Sequence, residues 1–118
     1  MPELPEVETT RIGLINHVKN KKITKIVIRN RRLRYPICDT FESNCEGKII
    51  QDLSRRSKYL RFELESGYIL LHLGMSGHLR ILPNTSPAEK HDHVDILLDN
   101  KQMIRYTDPR RFGMVNWF

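Results

Sequence analysis

The sequence predicts an α+β domain that is mainly β, a two-layer antiparallel β-sandwich flanked by an N-terminal helix. Two observations lead to this fold class. Apolar residues recur at helical spacing through the first 20 residues, and after them come short runs rich in β-branched and aromatic residues. The chain has 118 residues, the length of one domain, and 39% of them are hydrophobic, which suffices for a core of moderate size.

The predicted helix opens the chain. Pro5 suits the first helical turn, where its missing N–H is not needed, and Glu6 and Glu8 complement the positive end of the helix dipole. A single apolar stripe extends through about Asn20 and is formed by Val7, Leu14, Ile15 and Val18. This stripe indicates an amphipathic helix.

The strands are predicted from β-rich runs and from the turns between them. These runs are Ile23–Ile28, a run that begins at Lys48–Ile50, Tyr59–Leu64, Tyr68–Leu73, Val94–Leu98 and Met103–Tyr106. Ser66-Gly67 predicts one hairpin turn. Asp99-Asn100 predicts another, because these residue types tolerate the positive φ that such turns need.

Composition limits the classes of partner and compartment. Twenty Lys and Arg against fourteen Asp and Glu give a net charge of +6, which suggests a polyanionic partner but is equally common in proteins that bind no nucleic acid. Cys38 and Cys45 do not form a Cys-x-x-Cys pair, so we expect two reduced thiols. The longest apolar run, Tyr68–Leu71, is too short to cross a membrane, and the sequence predicts a cytoplasmic protein.

The second residue is a proline with chemical potential. If Met1 is removed, Pro2 presents a secondary α-amine, a group that titrates at about 7.7 to 8.0, more than two units below lysine. A neutral amine of this kind can attack a sugar C1′ and form an iminium ion. Met-Pro openings are also ordinary, and a helix start needs no such chemistry. The residues alone leave both interpretations open.

Five motifs occur in order along the chain. They are Pro2–Thr9 followed by Arg11 and Gly13-Leu14, Ser54–Leu60, His72–Gly77, Lys90–Asp95 and Tyr106–Gly113. Together they resemble the N-terminal domain of bacterial formamidopyrimidine-DNA glycosylases, enzymes that remove 8-oxoguanine and ring-opened purines from DNA. The resemblance covers essentially all 118 residues.

The resemblance also implies what the chain lacks. Members of this family carry a C-terminal half with a helix–two-turn–helix element and a four-cysteine zinc finger, and no segment of residues 1–118 corresponds to either. We therefore expect the N-terminal catalytic domain alone, with no cofactor and no metal site of its own. We also expect the isolated domain to bind DNA weakly and to excise poorly or not at all.

The resemblance implies the residues of the reaction. Pro2 is the expected nucleophile, and Lys58 is the expected proton donor during strand elimination. Glu3 lies beside the attacking nitrogen, so we place the general acid there, protonating the sugar ring oxygen. Glu6 is expected to order the Pro2 segment, although complementing the helix dipole explains it as well.

The resemblance also implies five DNA-binding residues. Met75 would enter the duplex where the damaged base has left, Phe112 would unstack the neighbouring step, and Arg110 would bind the orphaned cytosine. His72 and His91 would donate hydrogen bonds to backbone phosphates. Simpler interpretations remain open for Phe112, which alone would be assigned to core packing, and for His72, because a strand histidine is usually just a satisfied polar group. Met residues usually fill cores, but a Met in the glycine-flanked turn of Met75 has little core to fill.

Three neighbouring features receive structural interpretations. Asp108-Pro109 predicts a turn that presents the next two residues outward, and Arg111 is expected to form an ion pair with a carboxylate. His93 is expected to make a structural hydrogen bond. His91-Asp92-His93 resembles metal spacing, but two histidines without a third matched ligand are a weak zinc signal.

The predicted function is therefore base-excision repair by a monomeric, bifunctional DNA glycosylase and AP lyase. Its partner would be double-stranded DNA with an oxidised purine. Two alternatives stay open. One is an endonuclease VIII-like glycosylase for oxidised pyrimidines, against which Leu4 and Arg110–Phe112 argue. The other is a non-catalytic β-sandwich that binds DNA through a basic face.

Overall fold

Two four-stranded antiparallel sheets and two helices make up the fold in the computed structural model, which describes residues 4–118. In chain order the elements are α1 (Leu4–Val18), β1 (Ile23–Ile28), α2 (Phe41–Cys45), β2 (Ile50–Arg56), β3 (Tyr59–Leu64), β4 (Tyr68–His72), β5 (His78–Pro83), β6 (Asp92–Leu98), β7 (Gln102–Thr107) and β8 (Met114–Trp117). One hydrophobic core contains buried residues from both sheets and from α1. The predicted mainly β sandwich with an N-terminal helix is confirmed.

Neighbouring strands in the sequence account for much of the pairing. The first sheet has the order β1-β6-β7-β5 and the second the order β2-β3-β4-β8. Both predicted hairpins form, β3 with β4 and β6 with β7. The prediction for the second turn is wrong in one detail, because the positive φ of 66° falls on Lys101. Asn100 serves instead as an acceptor, its side-chain oxygen lying 3.2 Å from the Gln102 N–H.

Helix α1 forms because its apolar stripe fits the core. Val7, Leu14 and Val18 are buried and Ile15 packs partly against them. The helix ends at Val18, and Asn20 follows in the left-handed region with φ 66°. The Asn20 N–H then donates to Ile50 O at 2.7 Å, which ties the end of the helix to the start of β2.

Three elements carried no signal that predicted them. Helix α2 has five residues, too few for a period, and β5 has no fully buried residue because it lies at the edge of the first sheet. In β8 only Val115 is fully buried, and its strand identity comes from pairing with β4. These elements depend on tertiary pairing, which local patterns do not report.

A buried ion-pair network lies on the first sheet. Arg105 donates from Nε to Asp95 Oδ1 at 2.9 Å, and its other nitrogens reach the carbonyls of Ser86 and Pro87 at 3.0 and 2.9 Å. Asp92 accepts the Glu89 N–H at 2.8 Å. The network therefore fixes the loop between β5 and β6, which carries His91.

The two cysteines and the helices bear on the predicted compartment. Cys38 and Cys45 are free, and burial raises the pKa of the Cys45 thiol to about 12. Neither helix of residues 4–118 combines the length and the apolar character needed to cross a membrane.

Candidate nucleic-acid interface

The predicted nucleophile and general acid, Pro2 and Glu3, lie outside the described residues. The structure instead shows how the helix that follows them is held. Glu6 lies exposed in the first turn of α1, where its charge complements the helix dipole. Its predicted effect on the Pro2 segment therefore stays a prediction.

Glu8 connects the start of α1 to the second sheet. It accepts two hydrogen bonds from Arg11, at 2.9 and 2.8 Å, and a third from Arg55 Nε at 3.0 Å. These bonds lower the pKa of Glu8 to about 2, the Arg11 bond contributing most. Arg55 also donates to Ser57 O at 2.9 Å, inside the β2–β3 turn. The sequence assigned Glu8 only to the helix dipole and missed this connection.

Lys58 lies in that same turn, one residue before β3. Ser57 precedes it with φ 55°, so the turn adopts a left-handed residue that is not glycine. The strand register places the next residue, Tyr59, opposite His72, and their rings meet edge to face with centroids 4.8 Å apart. The structure thus brings two predicted site residues, Lys58 and His72, to one end of the β3–β4 hairpin.

His72 is held as a hydrogen-bond donor. Its Nδ1 accepts the Gly74 N–H at 3.0 Å, so the proton of the neutral ring resides on Nε2. Burial lowers the pKa of His72, and the positive charges of Arg34 and Lys58 lower it further. A neutral imidazole with a proton on Nε2 suits donation to a phosphate oxygen, the role predicted for His72.

Met75 and Phe112 are exposed on two loops that touch. The two residues are 49% and 45% exposed, so core packing, the simpler interpretation of Phe112, is wrong. Gly74 has φ 64°, and a Cβ there would lie 2.7 Å from the Gly113 nitrogen and the Phe112 carbonyl carbon. Glycine is therefore required for the two backbones to approach this closely.

Arg110 completes a cluster with these two side chains, which we call the filler cluster (Met75, Arg110 and Phe112). The Arg110 guanidinium lies 3.9 Å from the Met75 sulfur, measured from Nη1, and its carbon lies 5.5 Å from the Phe112 ring centroid. All three side chains are exposed. The structure thus brings together the three residues that were predicted to occupy the space of an everted base.

Asp108 organises the loop that carries Arg110 and Phe112. Its carboxylate is fully buried and accepts from Ser76 Oγ at 2.7 Å, from the Arg111 N–H at 3.1 Å, from the Gly113 N–H at 2.9 Å and from the Tyr106 hydroxyl. Burial, followed by the hydrogen bond to Asp108, raises the pKa of Tyr106, which therefore stays a donor. The sequence identified Asp108 only as a turn residue and missed this role.

Asp108 also connects the loop of His91. Its N–H donates to His91 O at 3.0 Å, and its own carbonyl accepts from His93 Nε2 at 2.7 Å. Ser76 Oγ in turn accepts the Arg110 N–H at 3.1 Å. One buried residue therefore joins the three loops that carry Met75, His91 and Arg110. His93 makes the structural hydrogen bond that was predicted for it.

The prediction for Arg111 is half right. The Asp108-Pro109 turn does present Arg110 and Arg111 to solvent. Within residues 4–118, however, Arg111 forms no ion pair with a carboxylate, and its Nη1 lies 3.5 Å from Arg32 O instead. Its φ of 56° turns the residue toward the loop that contains Arg32.

Comparison with known proteins decides the family. Residues 1–115 match the family model described as formamidopyrimidine-DNA glycosylase N-terminal domain. The chain belongs to this family. The resemblance read from the five motifs is thereby confirmed.

Named relatives agree with that assignment. The formamidopyrimidine-DNA glycosylase of Stutzerimonas stutzeri is 51% identical over 117 residues, and that of Cronobacter sakazakii is 54% identical over 117 residues. Each comparison covers 99% of this chain and 43% of the relative. The chain therefore spans less than half the length of these formamidopyrimidine-DNA glycosylases.

Solved formamidopyrimidine-DNA glycosylase structures share the fold. The Lactococcus lactis enzyme in complex with DNA that contains FAPY-dG superimposes with a TM-score of 0.90 at 35% identity, over 98% of this chain and 44% of that one. The same enzyme bound non-covalently to DNA with an AP site gives a TM-score of 0.92 at 34% identity, over 99% and 45%. The sandwich described above is thus the fold of this glycosylase family.

No candidate metal centre appears in the part of the glycosylase domain that the structure describes. Among residues 4–118, no three His, Cys, Asp or Glu side chains are placed to hold a metal ion. The two histidines with metal-like spacing have ring centroids 6.4 Å apart, and His93 is bonded to Asp108. His91 is half-buried at the surface of its loop, and its predicted phosphate contact stays a prediction.

Proposed function

We propose that this chain is the nucleophile-bearing and DNA-reading part of a bifunctional DNA glycosylase and AP lyase. Its substrate would be duplex DNA that contains 8-oxoguanine or a formamidopyrimidine. The single observation that carries the proposal is the exposed filler cluster, two of whose three residues lie on a loop held by a buried carboxylate. Membership of the formamidopyrimidine-DNA glycosylase family supports the reaction.

The filler cluster answers a physical demand of base excision. Removing a base from the stack costs a few kcal/mol of pairing and stacking, and the vacated space must be refilled. Met75 supplies a flexible apolar group for that space, and Phe112 supplies a wedge for the neighbouring step. Arg110 offers paired donors to the orphaned cytosine. His72, through its Nε2 proton, and His91 donate to backbone phosphates.

The chemistry starts at the amine of Pro2 once Met1 is removed. The nitrogen lone pair forms a bond to C1′ while the glycosidic bond breaks, and the base leaves with the electrons of the glycosidic bond. The alkylated nitrogen loses its N–H proton, and the departing base takes up one proton. Glu3 protonates the ring oxygen, and the sugar opens to an iminium ion. Loss of the C2′ proton expels the 3′ phosphate, and a second elimination expels the 5′ phosphate. Lys58 assists these eliminations as proton donor.

The connection through Glu8 supports the pairing of Pro2 with Lys58. Glu8 lies on the helix that follows Pro2, and Arg55 bonds both to Glu8 and to the turn that carries Lys58. Helix and turn are therefore fixed to each other. This connection supports a role for Lys58 close to the residues that precede the helix.

Two other functions are less well supported. An endonuclease VIII-like preference for oxidised pyrimidines is disfavoured, because the relatives with 51% and 54% identity are named formamidopyrimidine-DNA glycosylases. A non-catalytic DNA-binding sandwich would keep the filler cluster but would need neither Pro2 nor Lys58.

We place the protein in the cytoplasm as a monomer.

Borohydride trapping tests the proposed nucleophile. The reagent reduces an iminium ion to a stable amine, so a full-length enzyme that contains this chain, incubated with a duplex that contains an AP site, should become covalently linked to DNA. Mass spectrometry first establishes whether Met1 is absent. Pro2→Gly and a form that retains Met1 should lose the crosslink. Trapping that persists with Met1 retained would move the nucleophile elsewhere, with Lys58 the first suspect.

Excision needs a longer protein, because the chain spans 43% of its relatives. We would therefore fuse residues 1–118 to the remaining part of the Cronobacter sakazakii relative and assay nicking of three duplexes. These contain 8-oxoguanine opposite cytosine, 5-hydroxycytosine, or no damage. Nicking of the first alone, with phosphates at both ends, is the expected result. Preferential nicking of the second would indicate an endonuclease VIII-like enzyme, and no nicking at all would favour the non-catalytic alternative.

A further inference from the structure

We propose that Arg34 binds a backbone phosphate of the DNA, together with His72, in the cavities on either side of Phe112. The sequence motifs gave Arg34 no role. The inference rests on the proposed function insofar as it requires the chain to bind DNA. It adds Arg34 and the loop that carries it to the binding surface that the filler cluster defines.

Arg34 lies in a short loop that packs against the turn of Phe112. The loop is closed by a bridge between Arg32 and Pro36, and the Arg34 N–H donates to Gly113 O at 3.1 Å. The backbone of Arg34 is therefore fixed to the same turn that presents Phe112. Its side chain is exposed.

Two adjoining cavities share the Arg34 side chain. One, of about 280 Å³, lies between Arg34, His72, Met75 and Phe112. The other, of about 100 Å³, lies between Arg34, His72, Phe112 and the tyrosine pair Tyr35 and Tyr59. Arg34, His72 and Phe112 are common to both. A strand that passes the filler cluster would therefore pass Arg34 as well.

Within residues 4–118, no carboxylate neutralises the charge of Arg34. Among the described residues 4–118, no Asp or Glu lines either cavity. Within residues 4–118 most arginines form ion pairs with carboxylates, namely Arg11, Arg29, Arg31, Arg55, Arg61, Arg80 and Arg105. Arg34 forms none in that part of the chain, and its guanidinium carbon lies 5.9 Å from the Tyr35 ring centroid. An anion therefore meets an available guanidinium here.

His72 supplies the second hydrogen-bond donor to the phosphate, and burial and the charge of Arg34 lower the pKa of this histidine. After burial, the nearby charge of Arg34 is the next cause that lowers the pKa of His72. The neutral ring carries its proton on Nε2, so a bound phosphate oxygen would accept from a neutral donor and from a cation.

The surface around Arg34 suits a nucleic-acid strand better than another anion. Tyr35 and Tyr59 are 55% and 40% exposed, and with Met75 and Phe112 they form one apolar margin beside the cations. A positively charged groove edged by exposed aromatic rings fits a chain of phosphates, sugars and bases. A free phosphate would use the cations and leave the rings unused.

The salt dependence of binding tests the role of Arg34. The ligand is a fluorescein-labelled duplex with a tetrahydrofuran abasic-site analogue opposite cytosine, and affinity is measured by anisotropy from 50 to 300 mM KCl. Arg34→Gln should reduce the slope of log K against log salt by about 0.9, and should weaken binding about eightfold at 0.1 M salt. Tm should stay unchanged, because the side chain is exposed.

Arg32→Gln is the matched control. Arg32 lies in the same loop, is also exposed and lines neither cavity, and its carbonyl rather than its side chain contacts Arg111. We expect this variant to keep the slope of the unaltered chain. Equal slopes for the Arg34 and Arg32 variants would overturn the inference. Absence of any binding by the unaltered chain would overturn the proposed DNA interaction itself, and with it this inference.

Discussion

Replacing Asp108 tests whether one carboxylate holds the loops that carry Met75, His91 and Arg110. Four donors share this side chain, and two of them, the Gly113 N–H and the Tyr106 hydroxyl, belong to buried residues. Leaving a buried donor without an acceptor costs about 1–3 kcal/mol. The other two donors, the Ser76 hydroxyl and the Arg111 N–H, are only part-buried, so water can partly replace the carboxylate. Asp108→Ala should therefore lower the free energy of unfolding by about 4 kcal/mol, from a total of roughly 5–15 kcal/mol for such a domain.

A smaller change separates loss of hydrogen bonding from loss of volume. Asp108→Asn keeps the size of the side chain, but either orientation of its amide turns an NH₂ group toward two donors. We expect a loss of about 2 kcal/mol. Ser76→Ala is the control, because its hydroxyl is only half-buried and its removal should cost less than about 1 kcal/mol.

Urea unfolding measures all three variants. The single tryptophan, Trp117, reports the transition by its fluorescence. The slope m should stay the same in every variant, since the surface exposed on unfolding does not change. A loss below about 1 kcal/mol for Asp108→Ala would refute the reasoning, because two orphaned buried donors cannot cost so little.

Three further predictions concern single side chains. Gly74→Ala should lower Tm by several degrees, because alanine would have to adopt a left-handed φ and its Cβ would lie 2.7 Å from backbone atoms. Gly13→Ala, in open space on α1, should raise Tm, and a calorimetric Tm that is higher for Gly74→Ala than for Gly13→Ala would contradict this reasoning. Glu8→Gln should slow borohydride trapping on an AP-site duplex at pH 7, and trapping at an unchanged rate would show that the Glu8 contacts with Arg11 and Arg55 do not position the nucleophile. In the unaltered chain these contacts should be intact above about pH 4.5 and should be lost as the pH falls toward 2, the lowered pKa of Glu8. Because the pKa of His72 is lowered in the folded chain, the unfolded chain protonates this histidine at a higher pH, and stability should fall as the pH drops below 6.5. His72→Gln should reduce that fall, measured as the difference between Tm at pH 7.5 and Tm at pH 5.5. An equal difference in both proteins would contradict the role of His72.

Hydrophobic periodicity in the sequence predicted the helices and strands in which one complete face is buried in the core. The α1 stripe and the alternation of Tyr59–Leu64 each specify which side chains turn inward, and both elements formed where expected. β5 and β8 escaped prediction because they have one fully buried residue between them and depend on a partner strand. Long-range pairing of that kind leaves little trace in a short window of sequence.

The candidate site divides in the same way. Met75, Arg110 and Phe112 were recognised because their motifs resemble those of a known family, and the structure brings them into one cluster. The structural role of Asp108 and the role proposed for Arg34 were missed because both depend on neighbours that are distant in sequence. Asp108 is bonded to Ser76, 32 residues away, and Arg34 to Gly113 across two unrelated loops. No spacing rule connects such positions.

The close backbone approach of Gly74 to Gly113 has a consequence for the proposed DNA binding. Because Met75 and Phe112 lie on loops that are already fixed to each other, the entropy of arranging them is lost during folding. If the chain binds DNA as proposed, its preorganised surface would adapt little and the duplex would have to deform. Discrimination between intact and damaged sites would then depend on how readily each base pair opens, which is a property of the DNA.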